Sequence, residues 1–131
     1  MRTKLTIVLL SLAIVATMAL NVMADCQNRI ILSATPDGAA IASRGNAEVR
    51  DRGGRQRFKV SMEANVADGT SFFVYADGQS VGDLTIQLRR AEFEVQSDDF
   101  QPMPPELDPV CGVSLVEVVD ADGSLILSGN F

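Results

Sequence analysis

Asp-Gly recurs at Asp37-Gly38, Asp68-Gly69, Asp77-Gly78 and Asp122-Gly123, and Gly53-Gly54 adds a fifth turn dipeptide. Such pairs suit the central positions of tight hairpin turns, where the backbone adopts φ > 0. The runs between them alternate apolar and polar residues, and nothing after Ala24 repeats its apolar residues at the 3.6-residue helical period. This pattern predicts an all-β fold: a mostly antiparallel meander of about eight strands, closed as a sandwich or a partly open barrel. The expected strands are Arg29–Ala34, Gly45–Arg52, Arg55–Asn65, Thr70–Ala76, Gln79–Leu88, Ala91–Ser97, Val113–Asp120 and Ser124–Phe131. Between the sixth and seventh, Pro102, Pro104, Pro105 and Pro109 rule out a central strand, so this segment is expected to cross an edge or one end of the sheet.

Two hairpins can be read in register. A two-residue turn at Gly53-Gly54 pairs residues whose numbers sum to 107, so Val49 faces Phe58 and Ala47 faces Val60. The opposite side of that ribbon then carries Glu48 with Lys59, Arg50 with Arg57, and Arg52 with Arg55. Across Asp77-Gly78, Val74 is expected to face Val81, with a bulge at Gly82-Asp83 to move the apolar phase onto Leu84, Ile86 and Leu88. Phe72-Phe73-Val74-Tyr75 reads as a strand covered on both faces.

The leader has a basic start, Met1-Arg2-Thr3-Lys4, an apolar stretch from Leu5 to Val22, and a small-residue end at Val22-Met23-Ala24. It reads as a signal peptide over residues 1–24, cleaved after Ala24, and it places residues 25–131 outside the cytoplasm as a single β-sandwich domain, secreted or periplasmic. The rivals are a membrane anchor and lipid attachment at Cys26. The change to polar, β-like sequence after Ala24 opposes the first, and Asp25 where a small residue is wanted opposes the second. No stable membrane insertion is therefore expected after cleavage.

Without its leader the chain holds nine basic and seventeen acidic residues, a net of −8. That balance argues against nucleic acid and against an anionic membrane as general partners. All nine basic residues lie between Arg29 and Arg90, whereas Ala91 to Phe131 holds nine acidic residues and no basic one. Two cysteines in an exported chain predict a Cys26–Cys111 disulfide. Zinc lacks ligands, since there is no histidine and no third cysteine.

Chemistry-bearing candidates are few. Glu92 and Glu94 share a strand face and read as solvated, and serine catalysis has neither a histidine base nor any lysine beyond Lys59 after the leader. Asp120-Ala121-Asp122-Gly123 offers calcium two carboxylates, but the full loop with its closing glutamate is absent, and a plain hairpin turn accounts for it. Phe131 is a residue type that ends outer-membrane barrel strands, but the strands here are short for spanning. No cofactor is implied.

Four arginines, Arg50, Arg52, Arg55 and Arg57, on one ribbon face repel one another and call for anionic company. The company can come from the chain's own Asp98, Asp99, Glu106 or Asp108, or from an acidic cell-envelope polymer or protein; the bland alternative is a face splayed into water. Gly45-Asn46-Ala47-Glu48-Val49-Arg50, Arg57-Phe58-Lys59-Val60, Asp77-Gly78-Gln79-Ser80-Val81-Gly82 and the run Val116 to Phe131 resemble small exported bacterial β proteins of uncharacterised function. The resemblance implies a small sandwich and carries no catalytic residue. The expected function is a non-catalytic binding or structural module using the arginine face. The alternative is a small hydrolase built on the acids between Asp98 and Asp108.

Overall fold

In the computed structural model the described residues are 25–98 and 100–131, so the expected leader and Asp99 lie outside them. Eight strands form where the alternation placed them: β1 (Cys26–Ala34), β2 (Arg44–Arg52), β3 (Arg55–Glu63), β4 (Ser71–Ala76), β5 (Gln79–Thr85), β6 (Arg90–Gln96), β7 (Leu115–Val119) and β8 (Leu125–Asn130). They make one antiparallel sheet in the order β5-β4-β7-β8-β1-β2-β3-β6. Edges β5 and β6 meet without a ladder. The ring of Phe93 in β6 lies where a Cβ on Gly82 of β5 would stand, 2.2 Å from Phe93 Cε1. Of the two closures the sequence allowed, the sheet takes the barrel-like one.

Consecutive strands pair in the β1–β2, β2–β3, β4–β5 and β7–β8 hairpins, while β3–β6, β4–β7 and β1–β8 join strands distant in sequence. Strand β7 returns beside β4 after the proline segment, a Greek-key order in which the long connection is the part that proline keeps out of the sheet. The β2–β3 register matches the sum of 107 at every pair, including Val49 with Phe58 and Arg52 with Arg55. Gly53 and Gly54 stand at φ 60° and 88°, the conformation that their dipeptide suits. In the next hairpin the bulge falls one residue earlier than expected: Val74 pairs with Gly82 and Tyr75 with Ser80, leaving Val81 as the extra residue. Its effect is the expected one at Leu84 and Ile86, which are buried, but not at Leu88: β5 ends at Thr85, and Leu88 is exposed in the turn that follows.

The core is filled by the inward residues of this alternation, with Ala47, Val49, Phe58, Val60, Val74, Leu84, Val116 and Leu127 all buried. Phe58 and Phe93 meet edge to face with ring centroids 6.3 Å apart. Phe72 is buried as expected, but Phe73 and Tyr75 are only half-buried, so β4 is covered fully on its inner face alone.

Two pieces differ from the pure-strand reading. Asp37-Gly38 does not form a hairpin turn; it lies in α1 (Pro36–Ala40). Thr35 caps that turn by accepting from Gly38 N–H at 3.1 Å, and Pro36 starts it with a fixed φ. The proline segment crosses one end of the barrel and also fills it. Its short 3-10 turns, Pro105–Leu107 and Val110–Gly112, and their flanks bury Met103, Leu107, Val110 and Val113. Gln56 fixes it from β3, donating to Asp108 Oδ1 at 3.0 Å and accepting from Val110 N–H at 2.6 Å. Cys26 and Cys111 are bonded, with Cα atoms 6.0 Å apart, and tie the start of β1 to the same end.

Candidate functional site

Directly paired residues of an antiparallel sheet share a face, so the ladders of β1, β2, β3 and β6 lay out the outer surface in rows. One row runs Gln27, Arg50, Arg57, Gln96; the next runs Arg29, Glu48, Lys59, Glu94. Arg52 and Arg55 stand beyond the first row, next to the Gly53-Gly54 turn. The four arginines singled out in the sequence therefore do lie together, opposite the side that carries Val49 and Phe58 into the core.

Their surroundings divide them. Arg57 is largely covered and donates through Nη2 to Glu48, while its Nε sits 3.5 Å from Glu94 Oε2 but makes no hydrogen bond there. Lys59 stands opposite Glu48 as expected, but its ammonium meets Glu92 at 3.2 Å. Arg52 donates to the neutral side chain of Gln27. Among the described residues, no carboxylate lies within 4.0 Å of Arg50, Arg52 or Arg55. Arg52 and Arg55 are exposed and Arg50 is half-buried.

Two of the acids expected to dock on them, Asp98 and Asp108, do other work. Asp98 accepts the backbone N–H groups of Phe100 and Gln101 at 2.8 and 2.7 Å, closing its own turn. Asp108 accepts from Gln56, a residue on the opposite side of the ribbon from Arg57. Glu92 and Glu94, treated in the sequence as a solvated pair, add counter-charge to that of Glu48, Glu94 beside Arg57 and Glu92 at Lys59. The signal for this was the β3–β6 pairing, which joins strands separated by a whole hairpin and leaves no local trace. At the remaining acidic candidate, Asp120 Oδ1 accepts from Asp122 and Ser124 N–H at 2.9 and 2.8 Å. Its carboxylate is thus an element of the turn, and among the described residues no group of three or more acidic or cysteine side chains stands ready to hold a metal ion.

The same outer surface dips toward the far end of the rows. There a groove of about 1010 Å³ has Asn46 and Ser61 among the small polar residues that line it, with Arg29, Arg44, Arg90 and the exposed Ile31 around it. Glu63 bridges Arg44 at 2.6 Å and Arg90 at 3.2 Å. Its carboxyl is held below the usual carboxylate value, first by the hydrogen bond from Arg44 and then by the charges of Arg44 and Arg90. Sequence reasoning stopped at the ribbon and missed Arg29, Arg44 and Arg90. Arg29 and Arg44 follow from strand parity once the β1–β2 register is known, but Arg90 depends on β6.

No family model, curated protein or solved structure matches the chain, so the site is read from its own chemistry. Among the described residues no helix is long and apolar enough to cross a membrane.

Proposed function

We propose that this is an exported, non-catalytic binding or structural module that contacts anionic cell-envelope material through the outer face of β2 and β3. The observation that carries this reading is the set Arg50, Arg52 and Arg55, gathered on one face with no carboxylate within 4.0 Å among the described residues. Like charges at paired positions lower the stability of the ribbon unless an anion relieves them. The guanidinium groups are suited to carboxylate or phosphate groups borne on a polymer. Export is supported by the basic and apolar leader and by a disulfide, which suits an oxidising compartment.

Replacing Arg50, Arg52 and Arg55 together by serine tests the reading. Retention on an immobilised acidic polysaccharide should be lost, and wild-type retention should weaken as added salt shortens the screening length. Wild-type retention by the triple variant would overturn it. Mass spectrometry of the protein purified from its host should find Asp25 as the first residue; an intact Met1 would end the export reading.

A further inference from the structure

At the far end of the outer face the connection between β5 and β6 is a two-residue turn, Leu88-Arg89, with φ 53° and 69°. Glycine and asparagine suit such positions, and leucine does not. The surrounding chain nevertheless holds it firmly. Gln87 and Arg90 exchange backbone hydrogen bonds of 2.8 and 3.0 Å around it, Leu88 N–H donates to Asp68 Oδ1 at 2.9 Å, and the Arg89 carbonyl accepts from Ala64 N–H at 3.0 Å. The result is a leucine that is 84 % exposed on a rigid support.

Leu88 and Arg89 border a cleft of about 490 Å³ together with Ala42, Ala64, Arg44 and Arg90. Ala42 also has positive φ, at 52°, so three of the four non-glycine residues in that conformation among the described residues line one cleft. Its charge is positive on balance: Arg44 and Arg90 share Glu63, and Arg89 has no carboxylate within 4.0 Å among the described residues. Small apolar side chains, a leucine and three guanidinium groups suit an aromatic ring with carboxylates beside it.

An exposed aromatic ring and exposed carboxylates share one segment at the other end of the sheet. Phe100 is 95 % exposed, and Glu106 and Asp108 are exposed on the same segment, within the third of the sequence that holds no basic residue. Gln56 fixes that end, since its carbonyl accepts from Ser97 N–H and its side chain holds Asp108. The seven residues of β6 separate the two surfaces by roughly 20 Å at about 3.3 Å per residue.

We propose that the Leu88–Arg89 cleft of one copy receives the Phe100–Asp108 segment of a second copy, so that the protein associates head to tail. The two surfaces are different patches, so each contact leaves one cleft and one segment unfilled, and the association continues into rings or filaments. This association does not use Arg50, Arg52 or Arg55 and stands independently of the polymer-binding face.

The test is sedimentation of the protein purified from its host in its natural processed form. Mass should rise with concentration past the dimer at low salt and fall back at high salt. The double variant L88N/R89G puts favoured turn residues at both positions; it should melt no lower than wild type and yet associate at least tenfold more weakly, as should Phe100→Ser. An equimolar mixture of these two variants, each keeping the surface that the other lacks, should form a dimer and stop there. A wild-type protein that stays monomeric at every concentration, association unchanged in both variants, or a mixture that forms no dimer would overturn the proposal.

Discussion

Two turns of the same backbone class frame the β3–β6 half of the sheet, and they are written differently. At Gly53-Gly54 both left-handed positions are filled by glycine, which adopts them without strain, with open space where a Cβ would stand; Asp25 and Asp51 accept from the Gly53 and Gly54 N–H groups at 3.1 and 3.0 Å. At Leu88-Arg89 the same positions carry residues that resist them, and contacts from Asp68 and Ala64 supply the constraint. The first turn is specified locally and so sets its own register. The second is specified by tertiary structure and is invisible until that structure exists.

The largest effect should come from breaking the end that Gly53-Gly54 shares with the proline segment. Replacing Cys26 and Cys111 by alanine releases a long loop, which the chain-entropy account values at about 4 to 5 kcal/mol as an upper figure. Calorimetry should show a large fall in Tm, and hydrogen exchange should loosen the Cys26 end of β1 while the Leu88 turn stays protected. Equal loosening at both ends would mean that the two turns do not belong to separable regions.

Next in size, Gly54→Val puts a β-branched side chain at φ 88° and should cost about 2 kcal/mol by denaturant unfolding. Asp68→Ala removes the acceptor that holds Leu88 N–H and should cost about 1 kcal/mol, with faster exchange at Leu88. A silent Asp68→Ala would show that the Leu88 turn is locally stable after all. In the other direction, L88N/R89G should gain about 0.5 to 1 kcal/mol by making the second turn resemble the first.

The smallest effect is the pH dependence of Glu63. Its folded pKa lies below the ordinary 4.5 because Arg44 and Arg90 favour the carboxylate. The stabilisation is therefore present above that ordinary value and is lost as pH falls through the lowered one. A shallow slope of Tm in that acid range should flatten in Glu63→Gln. A slope that persists unchanged would assign it to other carboxylates.

The same division decides what could be read in advance. Alternation and turn dipeptides located all eight strands, and Gly53-Gly54 fixed the pairing of Val49 with Phe58 and of Arg50 with Arg57. They could not show that Glu94 of β6 lies beside Arg57, because that neighbour is created by the ladder between β3 and β6, strands separated by a whole hairpin. Asp37-Gly38 misled for a related reason: the dipeptide carries a turn signal, but Thr35 and Pro36 before it form a helix start that outweighs the hairpin. Of the candidate site, the grouping of four arginines was legible. The neutralisation of Arg57 and the extension of the surface to Arg29, Arg44 and Arg90 were not.

One pairing described above governs the order of events during folding. Strand β1 joins β2 on one side through a nearby hairpin, but on the other side Ser33 meets Ser128 and Ala34 meets Leu127, near the far end of the chain. The hairpins can form early, whereas closure between the first and last strands needs almost the entire polypeptide and carries the entropy of a very long loop. Until β8 arrives, β1 presents an unpaired edge that invites intermolecular contact. A chain delivered across a membrane end first would meet this interval on the far side, where chaperone protection of that edge matters more than the stability of the finished sheet.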